Sequence, residues 1–315
     1  MGTPEFALAS LEALRESPWK VVGVVTQPDR PRGRGGQILP SAVKESAGRN
    51  SLPLYQPERV RDTDFLEEIR RIAPDVIVVV AFGQILPKSL LAIPKRGCIN
   101  LHASLLPKYR GAAPIQWALI KGERETGITT ILMNEAMDEG DILLQESVGI
   151  QENETAGELT RRLARKGARL LTKTLEALES GHLTPQPQDH QEASYAPSLK
   201  KEDGEIHWQQ TAEQIRNLIR GTEPWPGAYT FLGSERLRIW RARVQKRDFH
   251  PGTPGLILSP SPEGLEVVTG QGILKIEELQ PANKKRMSVK EFLPGHPVKE
   301  GMVLGVPDKK GSPES

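Results

Sequence analysis

At 315 residues the chain exceeds one typical domain, and two units of roughly 100 to 200 residues are expected. Its 42 lysines and arginines stand against 40 aspartates and glutamates, which excludes a global basic field and makes any nucleic-acid contact a local one. No apolar run approaches the roughly 18 to 20 residues of a membrane span, residues 1–6 lack a signal-peptide pattern, and a single cysteine, Cys98, excludes an intramolecular disulfide and a multi-cysteine zinc site; a protein of the reducing cytoplasm is expected.

Residues 6–17 have helical spacing, and Val21, Val22, Val24 and Val25 form a β-branched run that reads as a buried strand. The stretch 27–40, rich in Pro, Gly and Arg, reads as a long loop, after which 62–72 resumes helical spacing and 75–80 is a second buried strand. A short helical piece follows Pro87, then a strand at 97–101, a helix at 113–120 and a strand at 127–133. Alternation of near-continuous apolar strands with helices predicts an α/β, Rossmann-like, mostly parallel sheet with helices on both faces and ligands at the strands' carboxyl ends.

One more strand is expected at 143–150, and the Thr155 to Glu158 capping box opens a long helix ending near Gly181, which closes a first domain of residues 1–181. Residues 182–199, polar and proline-rich without periodicity, read as a linker. In the second domain, 200–305, Thr211 caps a short helix, and short strands at 236–244, 255–258, 265–269 and 273–279 suggest a smaller C-terminal β-barrel. An OB-like barrel is one candidate among small β folds. The tail 306–315 is expected to be disordered, and no internal repeat is evident.

Asn100 and His102 lie two apart in an otherwise apolar strand, so both side chains share one face near its carboxyl end. Such a pair can equally serve to satisfy neighbouring backbone groups. The loop that follows, 103–111, is punctuated by Pro107 and Gly111, carries Lys108 and Arg110, and suits a pocket wall. Asp138, in an acidic turn between two strands, is on its own an ordinary turn former. Together with Asn100 and His102 it makes an acyl-transfer set: a carboxylate for a proton, an imidazole to pair with it, and an amide for an oxyanion. No Gly-x-Ser-x-Gly, Walker A or His-Glu-x-x-His motif competes, which leaves direct transfer. In the 27–40 loop Arg30, Arg32 and Arg34 are solvated surface unless the loop borders the cleft, where they can meet phosphates; the topology places them there. The second domain adds Arg236, Arg238, Arg241, Arg243, Lys246, Arg247, Lys284, Lys285 and Arg286. Trp225, between two prolines, is assigned to core packing rather than base stacking.

The motifs GTPEF (2–6), TQPDRP (26–31), AFGQILP (81–87), CINLHASLLP (98–107) and RGAAPIQ (110–116) make the chain resemble the formyltransferases that use 10-formyltetrahydrofolate, over residues 2–304. Within them it is most similar to the branch whose acceptor is methionyl initiator tRNA. The resemblance implies Asn100, His102 and Asp138 as the catalytic trio, Ser104, Leu105, Leu106 and Pro107 as part of the folate pocket, and Arg34 at the tRNA-contacting position. Arg30, Arg32, Lys284 and Lys285 are expected to add tRNA contacts; a monomer without a metal is expected. The trio is shared by relatives with small-molecule acceptors, so it names the chemistry, while the arginine loop and the barrel select tRNA. A small-molecule acceptor, or an idle RNA-binding relative, are the alternatives. Phe82 stands where relatives commonly carry tyrosine. In the family a central strand precedes the GTP segment, whereas here Met1 stands directly before Gly2. The expectation is either a native start upstream or a compromised sheet.

Overall fold

The computed structural model of the chain describes residues 1–32, 37–245 and 252–305. They divide into two compact units, one formed by Met1–Pro114, Glu125–Ile150 and Leu159–Pro197, the other by Ile115–Arg124, Gln151–Glu158 and the chain from Ser198 onward. Among the described residues no helix is long and apolar enough to cross a membrane. The expected tail, 306–315, lies outside the described residues.

The first unit is built on α1 (Glu5–Glu16), β1 (Val24–Val25), β2 (Arg30–Arg32), β3 (Gln37–Leu39), α2 (Ala42–Arg49), β4 (Leu54–Tyr55), α3 (Thr63–Ile72), β5 (Ile77–Val79), α4 (Lys88–Leu91) and β6 (Cys98–His102). It is completed by β7 (Glu125–Leu132), β8 (Asp141–Gly149) and most of α6 (Ala156–Glu179). β4 pairs with β1, and β5 with β6, in parallel. Between β1 and β5 lie Met1 and Gly2: the Gly2 N–H donates to the Val25 carbonyl at 2.9 Å, and the Val80 N–H to that of Met1 at 2.9 Å. The Met1 amine donates to the Val78 carbonyl at 2.6 Å, and its burial pushes it down to about 5. Below this two-residue bridge a cavity of about 610 Å³ opens between Val21, Val22, Val76 and Val78, in the place where the family resemblance sets a strand. Val21 and Val22, expected in a buried strand, line it outside β1, and Val22 is exposed, because no ladder runs at their level.

The parallel run ends at β6, since β6 with β7 and β7 with β8 are antiparallel. The intervening helix, α5 (Pro114–Ile120), belongs to the second unit from Ile115 on, so it is no crossover helix for this sheet. The apolar strands pack on both faces. Ile77, Val79 and Cys98 meet Phe65, Ile69 and Leu90, whereas Val76, Val78 and Ile99 meet Leu143 of β8 and Leu171 and Leu175 of α6. Leu101, on the second face, seats against Gly167 of α6, where a Cβ would stand 2.7 Å from it. Asn100 and His102 therefore fall on the face of Cys98.

Two expectations change here. The 27–40 stretch is not all loop: β2 and β3 pair as a short antiparallel ribbon, Arg30 opposite Leu39, because the ribbon stands apart from the main sheet and tolerates Pro31. Residues 182–197 do not run as a linker but pack within the first unit, Gln186 exchanging backbone hydrogen bonds of 2.8 and 2.9 Å with Ile142, and Tyr195 bridging Arg110. Backbone pairing needs no side-chain periodicity, so composition could not reveal it.

The second unit carries α7 (Ala212–Gly221), β9 (Tyr229–Leu232), β10 (Glu235–Gln245), β11 (Ile257–Ser261), β12 (Gly264–Val268), β13 (Ile273–Pro281), β14 (Met287–Ser288) and α8 (Val289–Phe292). The sheet order is β11-β12-β13-β10-β9, antiparallel throughout, with β14 on β13. Leu304 bridges Leu232 of β9 and Val303 bridges Leu256 beside β11, so residues 302–304 join the two edges and close the barrel. α7, capped reciprocally by Thr211 and Gln214, lays Ile215, Leu218 and Ile219 on Leu237, Ile239, Leu274 and Ile276. Trp225, expected in the core, is 54% exposed, because it sits in the turn between α7 and β9, where no element of the described residues covers it.

Candidate active site

The period of two along β6 turns Asn100 and His102 toward the 133–140 loop that joins β7 to β8. That loop delivers Asp138 in the left-handed region, φ +57°, which is uncommon for residues with a side chain but among the more readily adopted by aspartate. The Asn100 Nδ2 donates to Asp138 Oδ1 at 3.2 Å, and the Gly111 N–H donates to Oδ2 at 2.8 Å. His102 Nδ1 faces the same Oδ2 at 3.5 Å. The imidazole is 6% and the carboxylate 13% exposed, so their interaction is little screened. His102 Nε2 lies 2.9 Å from the Tyr109 carbonyl, which only accepts, so Nε2 carries a proton and Nδ1 is the atom presented to Asp138. The structure thus brings together the three residues expected to act together.

The loop 103–111 is pinned from two sides. The Thr129 hydroxyl donates to the Ser104 carbonyl at 2.7 Å and accepts from the Leu106 N–H at 3.2 Å, and Gln145 donates to both Thr129 and the Leu106 carbonyl. Opposite, Ser194 Oγ accepts from the Tyr109 N–H at 2.9 Å, and Ala196 pairs with Arg110. Of the four expected folate residues, Ser104 is fully buried with its hydroxyl on the Lys108 carbonyl at 2.6 Å, and Leu106 is buried. Leu105 and Pro107 are half-buried. Among the described residues no group of three or more His, Cys, Asp or Glu side chains is placed to hold a metal.

The candidate RNA residues fall in the β2 region of the first unit and on the second unit. Arg30 is exposed on β2; the backbone of Arg32 completes that strand, and Arg34 lies outside the described residues. Lys284 and Lys285 are exposed in the turn between β13 and β14. Beside them a bulge between Ile239 and Arg241 resets the alternation of β10, so Arg238 and Arg241 both face outward. Arg238 and Arg286 stack on Trp240 at 3.8 and 4.9 Å, while Arg241 and Arg243 pair with Glu277 at 3.1 and 2.9 Å. Lys246 and Arg247 lie outside the described residues.

Four residues around the trio were not singled out from sequence as site residues. Arg110, 2% exposed, pairs with Glu139 at 3.1 Å, and its guanidinium donates to Gln188 Oε1, with His190 3.3 Å away. Arg110 carried a signal as the cation of a punctuated loop. Gln188 carried none, because it acts on backbone carbonyls from a segment without periodicity.

The chain matches the formyl transferase family over residues 1–175 and the formyl transferase C-terminal domain over residues 198–297. Methionyl-tRNA formyltransferase of Alkaliphilus oremlandii is 50% identical over 305 residues, 97% of this chain and 98% of that protein. That of Citrifermentans bemidjiense is 51% identical over 308 residues, 98% and 96% of the two. Among solved structures, the N-formyltransferase from Helicobacter canadensis, in complex with folinic acid and dTDP-3-aminofucose, superposes with a TM-score of 0.66 at 18% identity, over 87% of this chain and 96% of that one. HypX from Aquifex aeolicus, in complex with tetrahydrofolic acid, superposes with 0.57 at 18% identity over 79% and 43%. At such identities the solved structures establish likeness of fold.

Proposed function

Because the chain belongs to the formyl transferase family in both its N-terminal and its C-terminal part, we propose that it transfers the formyl group of 10-formyltetrahydrofolate to the free amino group of methionyl initiator tRNA. The observation that carries the reaction is one carboxylate, Asp138, held within reach of both Asn100 and His102 at the carboxyl end of β6. The acceptor is supported by relatives of that activity that match the chain at half its positions over nearly its whole length.

In this reading the amine forms a bond to the formyl carbon, and the Asn100 N–H that Asp138 does not take, together with the positive charge of a protonated His102, stabilises the oxygen as it becomes an oxyanion. Asp138 takes the proton released by the attacking amine. As the bond from the formyl carbon to the folate nitrogen breaks, that nitrogen receives a proton in turn, so the step needs neither oxidant nor covalent enzyme intermediate. Leu105 and Pro107 flank the folate, while Arg30, Arg32 and Arg34, with Lys284 and Lys285, meet tRNA phosphates. The enzyme acts as a monomer in the cytoplasm, where its aminoacyl-tRNA is made.

The purified chain is incubated with methionyl initiator tRNA and 10-formyltetrahydrofolate, and formylmethionine is counted, beside Asp138→Asn. Loss of about 10² to 10⁴ in rate is expected for the variant, the usual range for a proton-transfer group. An undiminished Asp138→Asn rate overturns the assignment. Activity on amino sugars with none on the tRNA replaces the acceptor. In the tRNA reading Arg34→Ala also flattens the slope of log affinity against log salt by about 1.

A further inference from the structure

Asp138 sits in a left-handed turn conformation that aspartate adopts more readily than most residues, and its neighbours hold its carboxylate and its peptide from two directions. From the 103–111 loop comes the Gly111 N–H. From residues 186–190 comes Gln188, 6% exposed, whose amide is fully used. Its Nε2 donates to the Asp138 carbonyl at 2.8 Å and to the Gly140 carbonyl at 2.7 Å. Its Oε1 accepts from Arg110 Nε at 3.2 Å and Nη2 at 2.8 Å, and Arg110 in turn reaches Glu139. One buried amide therefore touches the peptides of residues 138 and 140, and through Arg110 the side chain of the residue between them. Nothing else about Gln188 requires a glutamine: the segment that carries it is already anchored by the Gln186 backbone on Ile142.

We propose that Gln188 is a positioning residue for the transfer, holding the 138–140 backbone so that the Asp138 carboxylate meets Asn100 and His102 together. The inference rests on the reading of Asp138 as the proton acceptor. Gln188 touches no reacting atom; it acts by fixing a peptide. Replacing its NH₂ by oxygen or by a methyl group leaves two carbonyls without their donor, lets the turn relax, and moves the carboxylate by the order of 1 Å, a displacement that costs about 100-fold in rate.

The test uses the full chain with methionyl initiator tRNA and 10-formyltetrahydrofolate. Gln188→Leu and Gln188→Glu are each expected to lower kcat by about 30-fold to 100-fold while leaving KM for both substrates within about threefold, because the binding surfaces are not touched. Gln188→Glu keeps the partner of Arg110 and decides the matter should Gln188→Leu not fold. Gln186→Ala, whose side chain is exposed, is expected to keep wild-type kcat. The discriminating measurement is the double variant Asp138→Asn with Gln188→Glu. It is expected to be no slower than Asp138→Asn alone, since a residue acting through Asp138 has nothing left to position. Multiplying losses, or an equal rise of KM for both substrates, would overturn the proposal in favour of a general structural role. Wild-type kcat in Gln188→Glu beside an inactive Asp138→Asn overturns it alone, whereas an active Asp138→Asn removes the mechanistic reading beneath it.

Discussion

Gly111 offers the sharpest test of how the carboxylate is aimed. Its φ of +121° lies where L side chains rarely go, and a Cβ there would stand 2.7 Å from the Ala196 carbonyl oxygen, short of ordinary contact at 3.4 Å by about 0.7 Å. Both partners are backbone, and the Ala196 side is tied to Arg110 by its own N–H at 2.7 Å, so the relief falls on the 110–111 peptide. That peptide supplies the N–H that Asp138 Oδ2 accepts at 2.8 Å. Gly111→Ala is therefore expected to cost about 1 to 3 kcal/mol of stability from backbone strain, and to lower kcat by about 100-fold as the carboxylate loses its donor. Urea unfolding reports the first and single-turnover formyl transfer the second. Gly149→Ala, where an added Cβ meets nothing within 4 Å, is expected to match wild type in both. A Gly111→Ala protein with wild-type kcat would refute the argument that this N–H aims Asp138.

Burial pushes the Cys98 thiol up to about 12 against the neighbouring Met1 amine, which pulls it down, so the folded state holds its proton after the unfolded thiol has lost it above about pH 9. Its contribution is complete below pH 9 and is lost as pH rises toward 12. The stability advantage of wild type over Cys98→Ala should shrink by about 2 kcal/mol between pH 9 and 10.5, and a constant difference in urea midpoints would contradict the burial. Thr211→Ala removes one half of the reciprocal cap on α7 and is expected to destabilise the second unit by about 1 kcal/mol, whereas Thr211→Ser should be near neutral in thermal unfolding. Phe292→Ala empties a fully buried site in the barrel core and is expected to cost about 3 to 5 kcal/mol; a loss below 1 kcal/mol in the same measurement would mean the core collapses around it.

What could be read in advance follows from whether a residue acts through its side chain. Ile77 and Val79 announced a strand because both sheet faces are covered, and Asn100 with His102 announced a shared face because the period of a strand is two. Asp138 on its own looked like any acidic turn residue; its role came from its combination with Asn100 and His102 and from the family resemblance, since a left-handed backbone leaves no mark on an aspartate. Gln188 and Gly111 work through peptide groups, and the 182–197 segment pairs by backbone, so neither composition nor spacing could show them. The antiparallel turn at β7 was hidden because nothing in α5 states which unit it will pack against. Trp225 was misassigned for the opposite reason: a large apolar ring suggests a core, but the turn between α7 and β9 leaves it exposed among the described residues.

The closure of the barrel by residues 302–304 also sets an order of events on the ribosome. A nascent chain reaches Gln188, and with it everything the Asp138 loop needs, well before the second unit can be completed. Until Val303 and Leu304 emerge, the strands around Leu232 and Leu256 remain two bare edges of an unfinished sheet, each able to recruit a neighbouring strand. Shortening the chain ahead of residue 302 thus does more than trim a terminus: it leaves both edges adhesive at once, and the products of such truncation should gather as aggregates while the first unit is already formed.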